Sequence, residues 1–117
     1  MNGERPSGRR VNLRPRAVTD IERHTVYLDE NAIPDVAQRF RAAIMEAIER
    51  IGATPSAGSL REVRNSRLSG LRMRIVPGFR NYLLFYLTPE GVPEIIRLLH
   101  AAQDIAGILE EEEYRGS

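Results

Sequence analysis

Residues 70–87 read GLRMRIVPGFRNYLLFYL, and this stretch decides the fold class. In residues 71–75 apolar side chains alternate with two arginines, which is the period of a β-strand. Pro77-Gly78 supplies the residue types that a type II turn favours at its two central positions. Residues 81–87 are mostly apolar and aromatic, as in a central strand that is buried on both faces. The stretch therefore predicts an antiparallel β-hairpin whose second strand lies inside a sheet.

The chain after this hairpin predicts one more strand and a short helix. Residues 88–91 have the proline and glycine of a turn, and residues 94–100 form a third strand-like run. Asp104 can cap a helix that runs through Leu109. Four glutamates at 110–113 follow at the negative end of that helix, so we expect this end to fray.

The chain before the hairpin predicts a strand at 11–13 and two helices. Pro15 and Pro34 suit the first position of a helix, because the missing N–H would have no partner there. Gly52 is expected to end the second helix. The helices form an antiparallel hairpin because their connection is too short for another arrangement.

Both helices are predicted to be amphipathic. In the first helix, which spans 16–31, the charged residues, Asp20 among them, are expected to point away from the core. The second helix holds the 3.6-residue period for four turns. The expected core positions are Val18, Ile21, Thr25 and Leu28 in the first helix, and Val36, Ala37, Phe40, Ala43, Ile44, Ala47, Ile48 and Ile51 in the second.

Together these elements predict an α+β domain with an N-terminal strand, an α-helical hairpin, a three-stranded antiparallel meander and a short C-terminal helix. A chain of 117 residues has room for one domain. We assign residues 1–10 to a flexible basic arm, 11–109 to the domain and 110–117 to an acidic frayed tail. Part of the second face of the sheet is expected to stay apolar and exposed for a partner, unless the terminal helix and residues 54–69 cover it.

The composition excludes several classes of protein. With 42% hydrophobic and 28% charged residues the chain is ordinary globular material, and no apolar run is long enough to span a membrane. The absence of cysteine excludes disulfides, thiolate metal sites and cysteine nucleophiles, and it is compatible with a cytoplasmic location. The chain has no lysine for a nucleotide-binding P-loop. We expect neither a metal nor a cofactor.

Two groups of polar residues are candidates for function. Six arginines, with Glu62 as the one acid among them, form a local basic patch that suits nucleic acid or an acidic partner. A charged sheet edge that prevents aggregation explains the patch equally well. His100 and Asp104 could pair for acid–base chemistry, but a hydrogen-bonded histidine at a strand end is the favoured interpretation. The six arginines are Arg61, Arg64, Arg67, Arg72, Arg74 and Arg80.

Three segments in order resemble the C-terminal half of the RelE/ParE superfamily of bacterial toxins. They are 70–76, 78–86 and 95–104, which reads IIRLLHAAQD, and they follow a helical hairpin that ends near Pro55-Ser-Ala-Gly58. The ParE branch is the closer match. This resemblance implies a toxin of a type II toxin–antitoxin pair that a ParD-type antitoxin neutralises, and that inhibits DNA gyrase by binding, without catalytic residues.

The same superfamily supplies the main alternative, a RelE-like ribosome-dependent mRNA endoribonuclease. Arg72, Arg74 and Arg80 occupy positions similar to the basic sheet residues of such nucleases. However, Ala102-Gln103-Asp104 stands where those enzymes usually carry a basic residue, and Ile108 and Leu109 stand where a tyrosine is often found. A second alternative is a nucleic-acid-binding module without toxicity, which rests on the arginine cluster and the basic arm alone.

Site residues follow from the ParE interpretation. We predict that the target contacts Arg72, Arg74, Arg80 and His100. We predict that the antitoxin contacts apolar positions on the hairpin and sheet, namely Leu28, Phe40, Ile44, Tyr82 and Phe85.

Overall fold

The computed structural model describes residues 10–32 and 34–112, and in this part the α+β prediction is confirmed. None of the helices in these residues is long and apolar enough to cross a membrane. The elements are β1 (Asn12–Leu13), α1 (Pro15–Asn31), α2 (Val36–Ala53), β2 (Ser59–Leu60), β3 (Arg72–Val76), β4 (Phe79–Leu87), β5 (Glu94–His100) and α3 (Ile105–Glu110).

The sheet has five strands in the order β1-β5-β4-β3-β2. β1 pairs with β5 in parallel, and the other neighbours are antiparallel. The meander of β3, β4 and β5 is as predicted, and Gly78 has the positive φ of 80° that its turn requires. The sequence did not predict β2, because two residues are too few to show an alternating pattern.

The helical hairpin differs from the prediction at its turn. Pro34 does not begin α2, because Asp35 has a left-handed φ of 82° and the helix starts at Val36. The backbone N–H of Arg39 bonds to the carbonyl of Asp35 at 2.9 Å, so Asp35 is the N-cap. At the other end, α2 continues through Gly52 to Ala53.

Each face of the sheet carries its own apolar core. The hairpin covers the first face, where Phe40, Ile44 and Ile51 pack against the alternate β4 residues Tyr82, Leu84 and Tyr86. On the second face α3 and the loop before β3 bury Leu68, Leu71, Phe85, Ile96, Leu99 and Leu109. β4 is therefore buried on both sides as predicted, but most of the second face is covered by the chain itself.

The inward stripe of α1 is shifted from the prediction and contains a charge. Val18 is 41% exposed, whereas Ala17 and Asp20 are buried. The carboxylate of Asp20 accepts two hydrogen bonds from Arg97, at 2.7 and 3.0 Å, and one from the backbone N–H of Leu98 at 3.0 Å. The expectation that Asp20 points to solvent is thus wrong, because it neutralises an arginine on β5.

The start of the acidic tail is fixed to the domain. Glu112 is 5% exposed and accepts a hydrogen bond from Arg97 at 3.1 Å. The Asn65 side chain donates to the carbonyls of Leu109 and Glu112 and so holds the end of α3. Fraying therefore does not reach Glu112. Residues 1–9 of the predicted arm and 113–117 of the predicted tail lie outside the described residues.

Candidate functional site

Arg72 and Arg74 lie side by side on β3, on the face that the helical hairpin covers. Arg72 Nη1 donates to the carbonyls of Ser56 and Gly58, at 2.9 and 2.7 Å. Arg74 Nη2 approaches Thr54 Oγ1 at 3.5 Å, and its Nε is buried without a hydrogen-bond partner. Hydrogen bonds from a charged guanidinium group are stronger than neutral ones, so Arg72 stabilises the chain just after α2. Arg72 thus positions the 55–58 turn.

Arg80 and His100 are brought together at one end of the sheet. Arg80 is exposed at the start of β4, and the next residue, Asn81, accepts a backbone hydrogen bond from Ala101 at 2.8 Å. His100 Nδ1 accepts the N–H of Ala102 at 2.9 Å, which leaves Nε2 as its donor when the ring is neutral. Arg72 and Arg74 pair with Tyr86 and Leu84, farther along β4, so the four predicted target residues form two groups.

Tyr82 lies between two histidines at this end of the sheet. Its ring meets His100 edge to face at 4.7 Å between centroids and His24 at 5.2 Å. Burial raises the pKa of Tyr82 above its ordinary value, and Tyr27 adds to this effect. Burial lowers the pKa of His24, with Asp20 opposing the shift. The sequence pattern did not show this cluster, because its members come from α1, β4 and β5.

The pKa of His24 makes stability depend on pH. The unfolded chain binds a proton at this residue below about pH 6.5, whereas folded His24 resists it. We expect stability to fall as pH drops through this value and then to level off below the folded pKa. Urea unfolding at pH 7.5 and 5.5 measures this effect. Between these two pH values the free energy of unfolding should fall less in His24→Gln than in the wild type. An equal loss in both proteins would contradict the prediction.

Four of the five predicted antitoxin positions are core residues in this chain. Phe40 and Ile44 lie on the side of α2 that packs against the sheet, and Tyr82 and Phe85 lie on opposite faces of β4. Each of the four is at most 7% exposed. Leu28 is half-buried against the same core as Phe40. A partner that binds the folded domain can therefore contact only a small part of these side chains.

The structure also shows polar residues that the sequence analysis did not single out. Arg97 interrupts the apolar run of β5, and a charge in such a run is a signal that a buried partner exists. Tyr86 is fully buried, donates to the carbonyl of Pro55 at 2.6 Å and accepts the N–H of Gly58 at 3.1 Å. Across residues 10–32 and 34–112, no group of three or more His, Asp or Glu side chains is placed to hold a metal ion.

Comparisons with known proteins agree with this architecture. The family model described as ParE toxin of type II toxin-antitoxin system, parDE, matches residues 11–105. This range runs from the residue before β1 to the first residue of α3 and includes every strand of the sheet. No curated protein matches the sequence. Because the family model spans most of the 117 residues, the chain belongs to the ParE toxin family of type II toxin–antitoxin systems.

Proposed function

We propose that this toxin inhibits DNA gyrase by binding to it, without catalysing a reaction, and that a ParD-type antitoxin neutralises it in the cytoplasm. The observation that carries the proposal is the family match over residues 11–105. The hydrogen bonds of the sheet residues support a binding role. Nη1 of Arg72 donates to two backbone carbonyls, and a nuclease would need this side chain to contact the phosphate instead.

The contact surface that we propose for gyrase is the end of the sheet with Arg80 and His100. Arg80 is exposed at the start of β4. His100 is half-exposed, with a ring that Tyr82 and the N–H of Ala102 hold in one orientation. In this proposal Arg72 holds the 55–58 turn in position, and Arg74 lies beside it on β3; both arginines are only partly exposed.

A supercoiling assay tests the proposed activity. Purified toxin is mixed with gyrase, ATP and relaxed plasmid, and both supercoiled and linear DNA are measured with and without the antitoxin. We expect less supercoiling and more linear DNA, and we expect the antitoxin to reverse both effects. If gyrase is unaffected at high toxin excess, the proposal fails. Cleavage of mRNA on programmed ribosomes would then support the endoribonuclease, and steeply salt-dependent nucleic-acid binding alone would support the non-toxic module.

Substitutions at the sheet end test the contact residues. We expect Arg80→Ala and His100→Ala each to raise the toxin concentration for half-inhibition by roughly tenfold, which corresponds to a loss of about 1.4 kcal/mol of binding. Arg39→Ala on α2 is the matched control, because Arg39 is exposed and lies outside both cores. Circular dichroism checks that each variant is folded. Unchanged inhibition by both folded variants would remove this surface from the proposal.

A further inference from the structure

A pocket lies at the end of the sheet opposite to Arg80 and His100. It has a volume of about 610 Å³, which is within the range of pockets that hold small organic molecules. Its walls come from the end of β4, the start of β5, the residue after β1 and the segment between β2 and β3. Leu87 at the end of β4 lies seven residues after Arg80, or roughly 24 Å along an extended strand. The pocket is therefore separate from the surface proposed for gyrase.

Two arginines from distant parts of the chain line this pocket. Arg14 lies between β1 and α1, where its backbone N–H bonds to the carbonyl of Ile95 at 3.0 Å, and the residue is 6% exposed. Arg67 lies in the 3₁₀ turn Ser66–Leu68 and is exposed. Its backbone N–H bonds to Asn65 Oδ1 at 3.0 Å, and the Asn65 side chain also bonds to the end of α3. The backbones of both arginines are thus held in place by the fold.

One carboxylate offsets part of the positive charge in the pocket. Glu94 Oε2 lies 3.2 Å from Arg14 Nε, and Glu94 Oε1 accepts a hydrogen bond from Arg14 Nη2 at 3.4 Å. Glu94 is the only acid among the described residues that line the pocket, so the lining side chains carry a net positive charge. The side chain of Glu94 is 27% exposed, so it can turn toward solvent when another anion takes its place.

The remaining side chains of the lining suit a phosphate ester better than a bare ion. Ser69 and Thr88 supply hydroxyl groups that can donate to phosphate oxygens. Thr88 precedes the 3₁₀ turn Pro89–Gly91, and its side chain makes no capping hydrogen bond to that turn. Leu87 and Pro89 form the apolar part of the lining, which can cover the carbon atoms of a ligand. Guanidinium groups match the oxygens of phosphate with paired hydrogen bonds.

We propose that this pocket binds a small phosphate ester of about the size of a mononucleotide. The phosphate bridges Arg14 and Arg67, displaces Glu94 from Arg14 and accepts hydrogen bonds from the two hydroxyl groups. The organic part of the ligand lies against the apolar side of the pocket. None of these residues belongs to the surface proposed for gyrase, so the phosphate ester is a further ligand of the toxin.

Isothermal titration calorimetry of the full chain in chloride buffer tests the class of ligand. The probes are AMP, inorganic phosphate and adenosine. We expect AMP to bind, inorganic phosphate to bind roughly tenfold more weakly and adenosine to give no measurable binding, because the phosphate supplies the charge and the organic part adds apolar contact. Failure of both AMP and inorganic phosphate to bind overturns the proposal. Equal affinities for AMP and adenosine overturn the role of the phosphate, and equal affinities for AMP and inorganic phosphate overturn the ester.

Two substitutions with opposite expected effects test the contacts. We expect Arg67→Ala to raise the Kd for AMP by roughly tenfold, because a charged hydrogen bond to the phosphate is lost. We expect Glu94→Gln to lower the Kd by roughly threefold or more, because the carboxylate that competes for Arg14 is gone. Weaker binding by a folded Glu94→Gln variant would overturn the displacement of Glu94, and unchanged binding by Arg67→Ala would overturn the bridge.

Matched controls separate the pocket from the general charge of the protein. Arg61→Ala removes an exposed arginine of the same segment, and Glu90→Gln removes an exposed glutamate of the neighbouring turn; neither residue lines the pocket. The Kd of both controls for AMP should equal that of the wild type, and thermal unfolding without ligand checks that every variant is folded. If Arg61→Ala weakens AMP binding as much as Arg67→Ala does, AMP binds to the basic segment as a whole and the pocket is overturned.

Discussion

Replacing Asp20 by alanine is expected to destabilise the folded protein by roughly 3–5 kcal/mol, the typical cost of removing one partner from a buried ion pair. Asp20 is 2% exposed and holds Arg97 through two hydrogen bonds. In the variant the guanidinium group retains only Glu112, and the N–H of Leu98 loses its acceptor. An arginine side chain does not lose its proton in proteins, so Arg97 stays charged in the variant and cannot escape this cost.

Urea unfolding at neutral pH measures this loss as a lower midpoint. Asp29→Ala is the control, because Asp29 is an exposed aspartate on the same helix and should change stability by less than about 0.5 kcal/mol. If Asp20→Ala does not fold, Asp20→Asn gives a milder test with an expected loss of roughly 1–3 kcal/mol. A loss no greater than that of Asp29→Ala would show that the buried pair contributes little.

A triple variant distinguishes charge pairing from packing. Asp20→Leu, Arg97→Met and Glu112→Leu together replace the three charges by apolar side chains of similar size. Such replacements in other proteins are often neutral or stabilising. We expect the triple variant to be more stable than Asp20→Ala, although the N–H of Leu98 still lacks its acceptor. A triple variant less stable than Asp20→Ala would mean that the charges stabilise the fold beyond mutual neutralisation.

The contacts of Asp20 with Arg97 also show which part of the fold cannot be predicted from the sequence. The period of α2 identified its buried face correctly, because Phe40, Ile44 and Ile51 are unambiguous apolar residues. In α1 the inward stripe holds an alanine, an aspartate and a threonine, so the apolar pattern pointed to Val18 instead. The partner of Asp20 lies 77 positions away on β5, and no local pattern reports a contact over that distance.

The sequence likewise predicts only part of the candidate site. Alternation placed Arg72 and Arg74 on one face of β3 correctly, since the period of a strand requires it. The carbonyl of Ser56 that Arg72 binds belongs to the 3₁₀ turn Pro55–Ala57. The position of this turn relative to β3 follows from tertiary packing. The sequence predicts Tyr82 and Phe85 as antitoxin contacts because they belong to the apolar run of a central strand, and the same property places them in the core.

The second large effect is expected at Gly58, which the fully buried ring of Tyr86 contacts. A Cβ at this position would lie closer to Tyr86 Oη than atoms can approach, and only 2.9 Å from Cε1. The φ of Gly58 is −66°, so the glycine is required for space rather than for its backbone conformation. We expect Gly58→Ala to destabilise the protein by roughly 1–3 kcal/mol, the usual cost of overpacking a core. Ser56→Ala, an exposed change in the same turn, should be nearly neutral.

A double-mutant cycle locates the cause of that loss. Tyr86→Phe alone leaves the carbonyl of Pro55 and the N–H of Gly58 without their partner, at an expected cost of about 1–3 kcal/mol. In the double variant with Gly58→Ala the hydroxyl is gone, so most of the overlap with the new Cβ is relieved. Urea unfolding should therefore show a combined loss smaller than the sum, by on the order of 1 kcal/mol. Simple additivity would mean that the hydroxyl is not the atom that requires glycine at position 58.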